Sequence, residues 1–178
     1  MLTTLQRVKK QLGDTLDDET LTFYILAASQ AIESYCRRSF KRQTYTEIID
    51  GTGSPFLVVR NFPVHSGTAR NEDKEIAFQA AEDGIIFLPQ GWNKGLRNIT
   101  VTYDAGYVLP GDATPDQPRT LPEAIEIACL FITQGMTQNP SNVQSERVGD
   151  ISVTYRDADA MYTPTVQALL DPYVGRVI

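Results

Sequence analysis

The spacing of apolar residues predicts one long amphipathic helix over residues 17–38. Five residues recur at alternating intervals of four and three positions, which places them on one stripe of a helix; they are Leu21, Ile25, Ala28, Ile32 and Tyr35. Asp17 suits the N-cap position, and negative charge just after it suits the positive end of the helix dipole. At about 1.5 Å per residue, such a helix reaches roughly 30 Å, the width of a small domain. We expect it to be the spine on which other elements pack.

Shorter periodic segments predict three more helices. Residues 3–12 place Leu5 and Val8 on one side of a first helix. A third helix begins near Thr120, and its centre is apolar on every side, which is typical of a helix buried all round. Thr163 and Pro164 suit the N-cap and first position of a last, short helix. Two N-terminal helices, a central helix and a short C-terminal helix thus predict a small helical bundle.

Between the second and third helices, the pattern changes to that of β-strands. Candidate strands cover residues 43–50, 56–60, 75–79, 85–88 and 98–103, and one late strand covers 147–156. We expect the first two to form a β-hairpin across the turn-rich residues 50–55. The prediction is an α+β fold with a helical core from 1–40 and 120–178. An antiparallel β domain is inserted at 41–109, and 110–119 form a proline-containing linker.

Charge and composition exclude several classes of protein. A net charge of −6 over 178 residues argues against tight DNA or RNA binding, which depends on neutralising phosphates. No run of about 18 apolar residues is present, so we expect no membrane span. The N-terminus has the pattern of a helix rather than a signal peptide. Cys36 and Cys129 fall in apolar helical patterns, which favours buried thiols in a reducing cytoplasm over a disulfide.

Candidate catalytic and metal-binding residues are few. A lone histidine, His65, and two cysteines without ligand spacing do not build a zinc site, and phosphate-loop and hydrolase motifs are absent. Three carboxylate pairs, at 17/18, 72/73 and 82/83, are better explained by a helix start and two turns than by acid–base catalysis. Aromatic residues, Phe56 and Trp92 among them, suit core packing better than a stacking platform, because they lack interleaved basic residues. We expect no cofactor and no enzymatic activity.

One cluster of basic residues stands out as a possible contact site. It consists of Arg37, Arg38, Lys41 and Arg42. It could contact phosphate or an acidic partner, but the preference of helix C-termini for cations explains half of it.

The apolar end of the chain is the second candidate partner-binding site. Its residues are Tyr173, Val174, Arg176, Val177 and Ile178, of which only Arg176 is charged. Chain ends are normally polar and frayed, so an apolar end predicts that something holds it in place. It could add a strand to the sheet of a partner protein or of a neighbouring subunit. The alternative, that it folds back on its own subunit, stays open.

Six motifs in fixed order are spread over nearly the whole chain, from residue 5 to residue 173. They lie at 5–9 (LQRVK), 17–40, 45–51, 99–107 (ITVTYDAGY), 121–125 (LPEAI) and 169–173 (LLDPY). Their order resembles that of the phage head-tail connector proteins, the adaptor or head-completion family. The inserted β domain makes the chain similar to the longer members of that family.

The resemblance implies a structural virion protein at the head-tail interface, assembled in the host cytoplasm. It implies a ring, typically a dodecamer, beneath the portal protein, with a tail, stopper or tail-terminator protein on the other side. DNA would pass through the channel without specific binding, and an acidic surface suits such a conduit. Two other interpretations stay open: a tail-completion or tail-terminator ring, and a small carbohydrate-binding or hydrolytic domain.

Overall fold

The helical predictions are confirmed with small shifts at the ends. The computed structural model describes residues 1–13, 16–71, 74–78, 81–138, 145–148, 151–154 and 160–176; for 71, 145–148, 151–154 and 160 it describes the backbone alone. Its α-helices are α1 (Leu5–Leu12), α2 (Asp18–Cys36), α3 (Glu123–Gln138) and α4 (Pro164–Leu170). Two short 3-10 helices, Ala160–Tyr162 and Asp171–Tyr173, flank α4.

The predicted caps hold the helix ends. The backbone N–H of Thr20 donates to Asp17 Oδ1 at 2.9 Å, so Asp17 is the N-cap of α2. Thr163 accepts a hydrogen bond from the Val166 N–H, and Pro164 occupies the first turn of α4, where a missing N–H does no harm.

Eight strands form three antiparallel sheets within the described residues. They are β1 (Gln43–Gly51), β2 (Phe56–Val58), β3 (Val64–Asn71), β4 (Lys74–Phe78), β5 (Ile85–Phe87), β6 (Gly95–Ala105), β7 (Ser145–Val148) and β8 (Ile151–Thr154). The largest sheet has the strand order β1-β6-β3-β4, while β2 pairs with β5 and β7 pairs with β8. The predicted α+β class is confirmed.

The predicted hairpin between the first two strands is wrong. β1 pairs with β6, with Tyr45 opposite Tyr103 and Ile49 opposite Ile99, and β2 pairs with β5. The long alternation of β6 matches the inward side chains of β1 along its length, which the three residues of β2 cannot do. The predicted late strand 147–156 is also different, because β7 and β8 are two strands with Val148 opposite Ile151. Residues 155 and 156 lie outside the described residues.

Strand β3 was not predicted from the sequence, yet it lies inside the sheet between β6 and β4. Its sequence, VHSGTARN, has few apolar residues, and among residues 64–70 only Val64 and Ala69 are buried. Gly67 is required there by close packing, since a Cβ atom would lie 2.7 Å from the backbone oxygen of Thr102. A glycine therefore occupies this position of a central strand because the neighbouring strand approaches so closely.

The chain divides into two compact units. The helical unit comprises Met1–Cys36 and Leu121–Tyr173, and the β unit comprises Arg37–Thr120 and Val174–Ile178. The boundaries predicted from sequence, 1–40 with 120–178, 41–109 and 110–119, stay a prediction.

The core of the helical unit uses the predicted stripe of α2. Leu21, Ile25 and Ile32 are fully buried, and Leu21 and Ile25 pack with Val8 of α1. The core of the β unit joins one face of the four-stranded sheet to the β2–β5 pair. It contains Leu57, Ile86, Trp92, Ile99, Val101 and Tyr103.

The expectation that α3 is buried on all sides is wrong. Ile127 and Phe131 are 40% and 42% exposed, whereas Glu126 is 1% exposed. α3 packs against α2 and α4 with the side that carries Ile125 and Ile132. Apolar residues on the opposite side remain partly in solvent, because the helices of the described residues that contact α3 lie against the side of Ile125 and Ile132.

Candidate partner-binding surfaces

The structure disperses the predicted basic cluster. Arg37 is exposed and leaves α2 with a positive φ of 54°, whereas Arg38 is only 3% exposed. The Arg38 guanidinium carbon lies 3.4 Å from the ring centroid of Phe62 and 4.9 Å from that of Phe40. A guanidinium buried against aromatic faces stabilises the fold through cation–π contacts and is not accessible to a partner.

The other two basic residues are held by carboxylates. Lys41 Nζ lies 3.1 Å from Asp112, and Arg42 donates twice to Asp104 Oδ2, at 3.0 and 2.7 Å. Two of the four positive charges are therefore paired with carboxylates of the same chain, and a third, on Arg38, is buried. A contact role for the cluster stays a prediction, with Arg37, Lys41 and Arg42 its exposed members.

The described part of the chain end packs partly against the protein. Tyr173 and Val174 are half-buried, Gly175 is buried and Arg176 is exposed. Val177 and Ile178 lie outside the described residues. The partner contact and the tail folded on its own subunit both stay predictions.

Three carboxylates of the predicted pairs have structural partners, and they are Asp17, Asp18 and Asp83. Asp17 caps α2, and Asp18 forms an ion pair of 2.5 Å with Lys9. Hydrogen bonds from the Thr20 backbone and side chain lower the pKa of Asp17 below its ordinary 3.8. Asp83 accepts the Ile85 N–H at 3.1 Å and so shapes the turn before β5. The pair at 72/73 lies outside the described residues.

Histidine and cysteine do not assemble a site in the part of the chain that the structure describes. No group of three or more His, Cys, Asp or Glu residues there could hold a metal ion. His65 lies in β3, where Nε2 donates to the Gly106 oxygen at 2.9 Å. Cys36 and Cys129 are buried thiols as predicted, and burial raises the pKa of Cys129 to about 11. No described helix is long and apolar enough to cross a membrane.

A buried polar network that was not predicted ties β6 to the chain leaving α2. The Tyr103 hydroxyl donates to Glu47 and accepts from the Asn61 N–H at 3.2 Å, while Asn61 Oδ1 accepts from the Ser39 N–H at 2.8 Å. Burial and the Glu47 carboxylate raise the pKa of Tyr103 far above its usual value, so it stays a neutral donor. Sequence could not reveal this network, because its members are distant along the chain.

Two exposed apolar surfaces were also missed. On β2 and β5, Phe56 and Phe87 are 54% and 56% exposed, with ring centroids 5.4 Å apart. On α2, Phe23 and Leu26 are 66% and 51% exposed. The sequence did carry a signal for the first surface. Every residue of β2 and β5 is apolar, whereas a strand with one covered face normally alternates apolar and polar residues.

Comparison with known proteins identifies the family. A family model described as head completion protein matches residues 1–175. A chain in the neck of an empty gene transfer agent particle, computed with C6 symmetry, is 11% identical with a TM-score of 0.57, covering 99% of this chain and 91% of that one. A chain in the neck of a native particle, computed with C12 symmetry, is 12% identical with a TM-score of 0.58, covering 98% and 89%.

A third similar structure comes from a whole particle. A chain in the virion of a native gene transfer agent particle is 10% identical with a TM-score of 0.56, covering 99% of this chain and 91% of that one. At such identities the likeness to these structures shows the fold alone. No curated protein matches the sequence. The family match extends over nearly the whole length: the chain belongs to the head completion protein family and is a structural connector at the head-tail interface of a phage-type virion.

Proposed function

We propose that this chain forms a closed ring of twelve copies at the neck of the particle, between portal and tail proteins, with the DNA path through its centre. The family match over residues 1–175 carries the proposal. Similar chains belong to necks computed with C6 and C12 symmetry, which supports a cyclic arrangement of this fold. A net charge of −6 suits a conduit for DNA, because like charges keep the phosphate backbone from adhering.

The ring works through surfaces rather than through catalysis. Asp17 caps a helix, Asp18 pairs with a lysine and Asp83 shapes a turn, and these are structural tasks. If Glu82 or Asp83 took part in hydrolysis, Glu82→Gln or Asp83→Asn would lower infectivity without removing the protein from the neck. We expect full infectivity from both variants, and a loss of infectivity at normal neck occupancy would overturn the non-catalytic role.

Electron microscopy of purified necks tests the ring itself. We expect a ring with a central hole that disappears in particles made without this protein, and quantitative gel densitometry should give equal copy numbers of this chain and portal protein. A compact monomer absent from the neck contradicts the proposal, and a ring at the far end of an isolated tail identifies a tail terminator instead.

The end of the chain is the proposed portal anchor. Tyr173 and Val174 are already half-buried, so the partner-binding part is the segment that follows them, with Arg176 exposed. An apolar strand added to a partner's sheet gains main-chain hydrogen bonds, and twelve copies multiply a weak contact through effective concentration. Deletion of 173–178 should leave a folded protein that no longer stays on the portal.

A milder variant separates anchoring from folding. Val177→Asp with Ile178→Asp should lower portal occupancy as strongly as the deletion while leaving the thermal midpoint unchanged. Arg176→Gln, an exposed position in the same segment, is the matched control and should reduce occupancy little. If the aspartate variant co-purifies with portal at wild-type occupancy, the chain end is not the anchor.

A further inference from the structure

The β2–β5 pair presents an apolar face to solvent. Strand alternation places four side chains on this face, and all are exposed or half-buried; we call them the β patch: Phe56, Val58, Ile85 and Phe87. The intervening side chains, Leu57 and Ile86, point into the core of the β unit. Two strands with apolar side chains on both faces are expected where both faces become covered.

A second apolar surface lies on α2. Phe23 and Leu26, which we call the α2 patch, are three residues apart and lie on the side opposite the buried stripe of Ile25 and Ile32. The solvent side of a surface helix is normally polar. Exposed apolar clusters of this kind mark contact sites, whereas single exposed residues need no explanation.

Charge is divided unequally between the two units that carry these patches. The helical unit has 12 acidic and 5 basic residues, a net charge of −7, whereas the β unit has 10 acidic and 11 basic residues, a net charge of +1. Two helical units placed against each other repel. The helical unit of one copy against the β unit of another avoids that repulsion, so the charges favour a contact between unlike units.

We infer that the β patch of each copy docks on the α2 patch of its neighbour in the ring. This inference rests on the proposed ring, because cyclic assemblies of more than two copies use heterologous contacts between two different surfaces. The exposed parts of Phe56 and Phe87 amount to about 100 Å² each, while a specific interface buries about 800 Å² per partner. The two patches therefore form the apolar centre of a larger contact.

Cysteine crosslinking on assembled particles tests the contact. The full chain carries Phe23→Cys and Phe56→Cys together, and a short bismaleimide reagent joins thiols that lie close; the native Cys36 and Cys129 are buried. A head-to-tail contact links every copy to the next, so we expect a ladder of covalent multimers, while each single variant stays monomeric. Dimers from a single variant, or monomers alone from the double variant, overturn the inference.

Aspartate variants supply an independent measurement. Phe56→Asp with Phe87→Asp, and separately Phe23→Asp with Leu26→Asp, should keep the wild-type thermal midpoint yet reduce neck occupancy at least tenfold. Leu96→Asp is the matched control, since Leu96 is 85% exposed and lies outside both patches. If folded patch variants occupy the neck like the wild type, the inference is wrong although the ring stands. If the wild type itself forms no ring, the proposed function fails first.

Discussion

Tyr103→Phe removes one oxygen atom from the centre of the buried polar network of the β unit. Tyr103 is 1% exposed, and its hydroxyl both donates to the Glu47 carboxylate and accepts from the Asn61 N–H. Loss of a hydrogen bond to a charged group costs about 1.5–3 kcal/mol, and a buried N–H left without an acceptor costs about 1–3 kcal/mol. Glu47 is only half-buried and still accepts a hydrogen bond from the Arg60 N–H at 3.2 Å, so the two free-energy costs do not add in full. We expect a destabilisation of about 2–3 kcal/mol.

The matched control is Tyr45→Phe, the same chemical change on the residue paired with Tyr103 across β1 and β6. The Tyr45 hydroxyl donates to the Lys41 oxygen at 2.6 Å at an exposed position, where water can replace it. Its loss should cost about 0.5–1 kcal/mol. The two variants thus differ in the burial of the hydroxyl rather than in the ring that remains.

Urea unfolding followed by tryptophan fluorescence measures the effect where it occurs. Trp92, the single tryptophan, is buried in the same core as Tyr103 and reports on the β unit, while far-ultraviolet circular dichroism reports on the helices. Coincident transitions by both probes would justify a two-state free energy. A midpoint for Tyr103→Phe no lower than that for Tyr45→Phe would refute the argument that the network stabilises the β unit.

Three further predictions concern the helical unit. Arg7→Ala leaves the buried Glu126 carboxylate without its 2.8 Å ion pair and should destabilise the protein by about 1–3 kcal/mol in urea unfolding. This loss is smaller than for a fully buried pair because Arg7 is 48% exposed, and Arg7→Lys should recover part of the lost stability. Because the pKa of Asp17 is lowered in the folded state, the ionised Asp17 stabilises the protein above pH 3.8, and this stabilisation is lost as the pH falls through the folded-state pKa. In thermal melts, the thermal midpoint of Asp17→Asn should therefore depend less on pH than that of the wild type. Ile32→Ala should destabilise by about 2–5 kcal/mol and Phe131→Ala by less than about 1 kcal/mol in the same urea assay, and equal losses would show that Phe131 belongs to the core after all.

Local patterns were sufficient for the helices and for the family. Helical hydrogen bonds join residues four apart, so the stripe of α2, the Asp17 cap and the Thr163–Pro164 start could be read from neighbouring letters. The alternation of β6 was equally clear. The ordered motifs resembled the connector family, and the family match over residues 1–175 confirms it.

Partners distant in sequence decided the rest. Strand pairing joins residues far apart, so the β1–β6 and β2–β5 pairs, and the central place of the polar β3, depended on which faces fit together. The same holds for side chains: Arg38 became a buried cation stacked on Phe62, and Phe131 stayed partly in solvent although the centre of its helix is apolar. An apolar or basic residue type sets a preference for a buried or an exposed environment. Only the packed chain determines which neighbours supply that environment, because burial is a property of the surroundings and not of the residue.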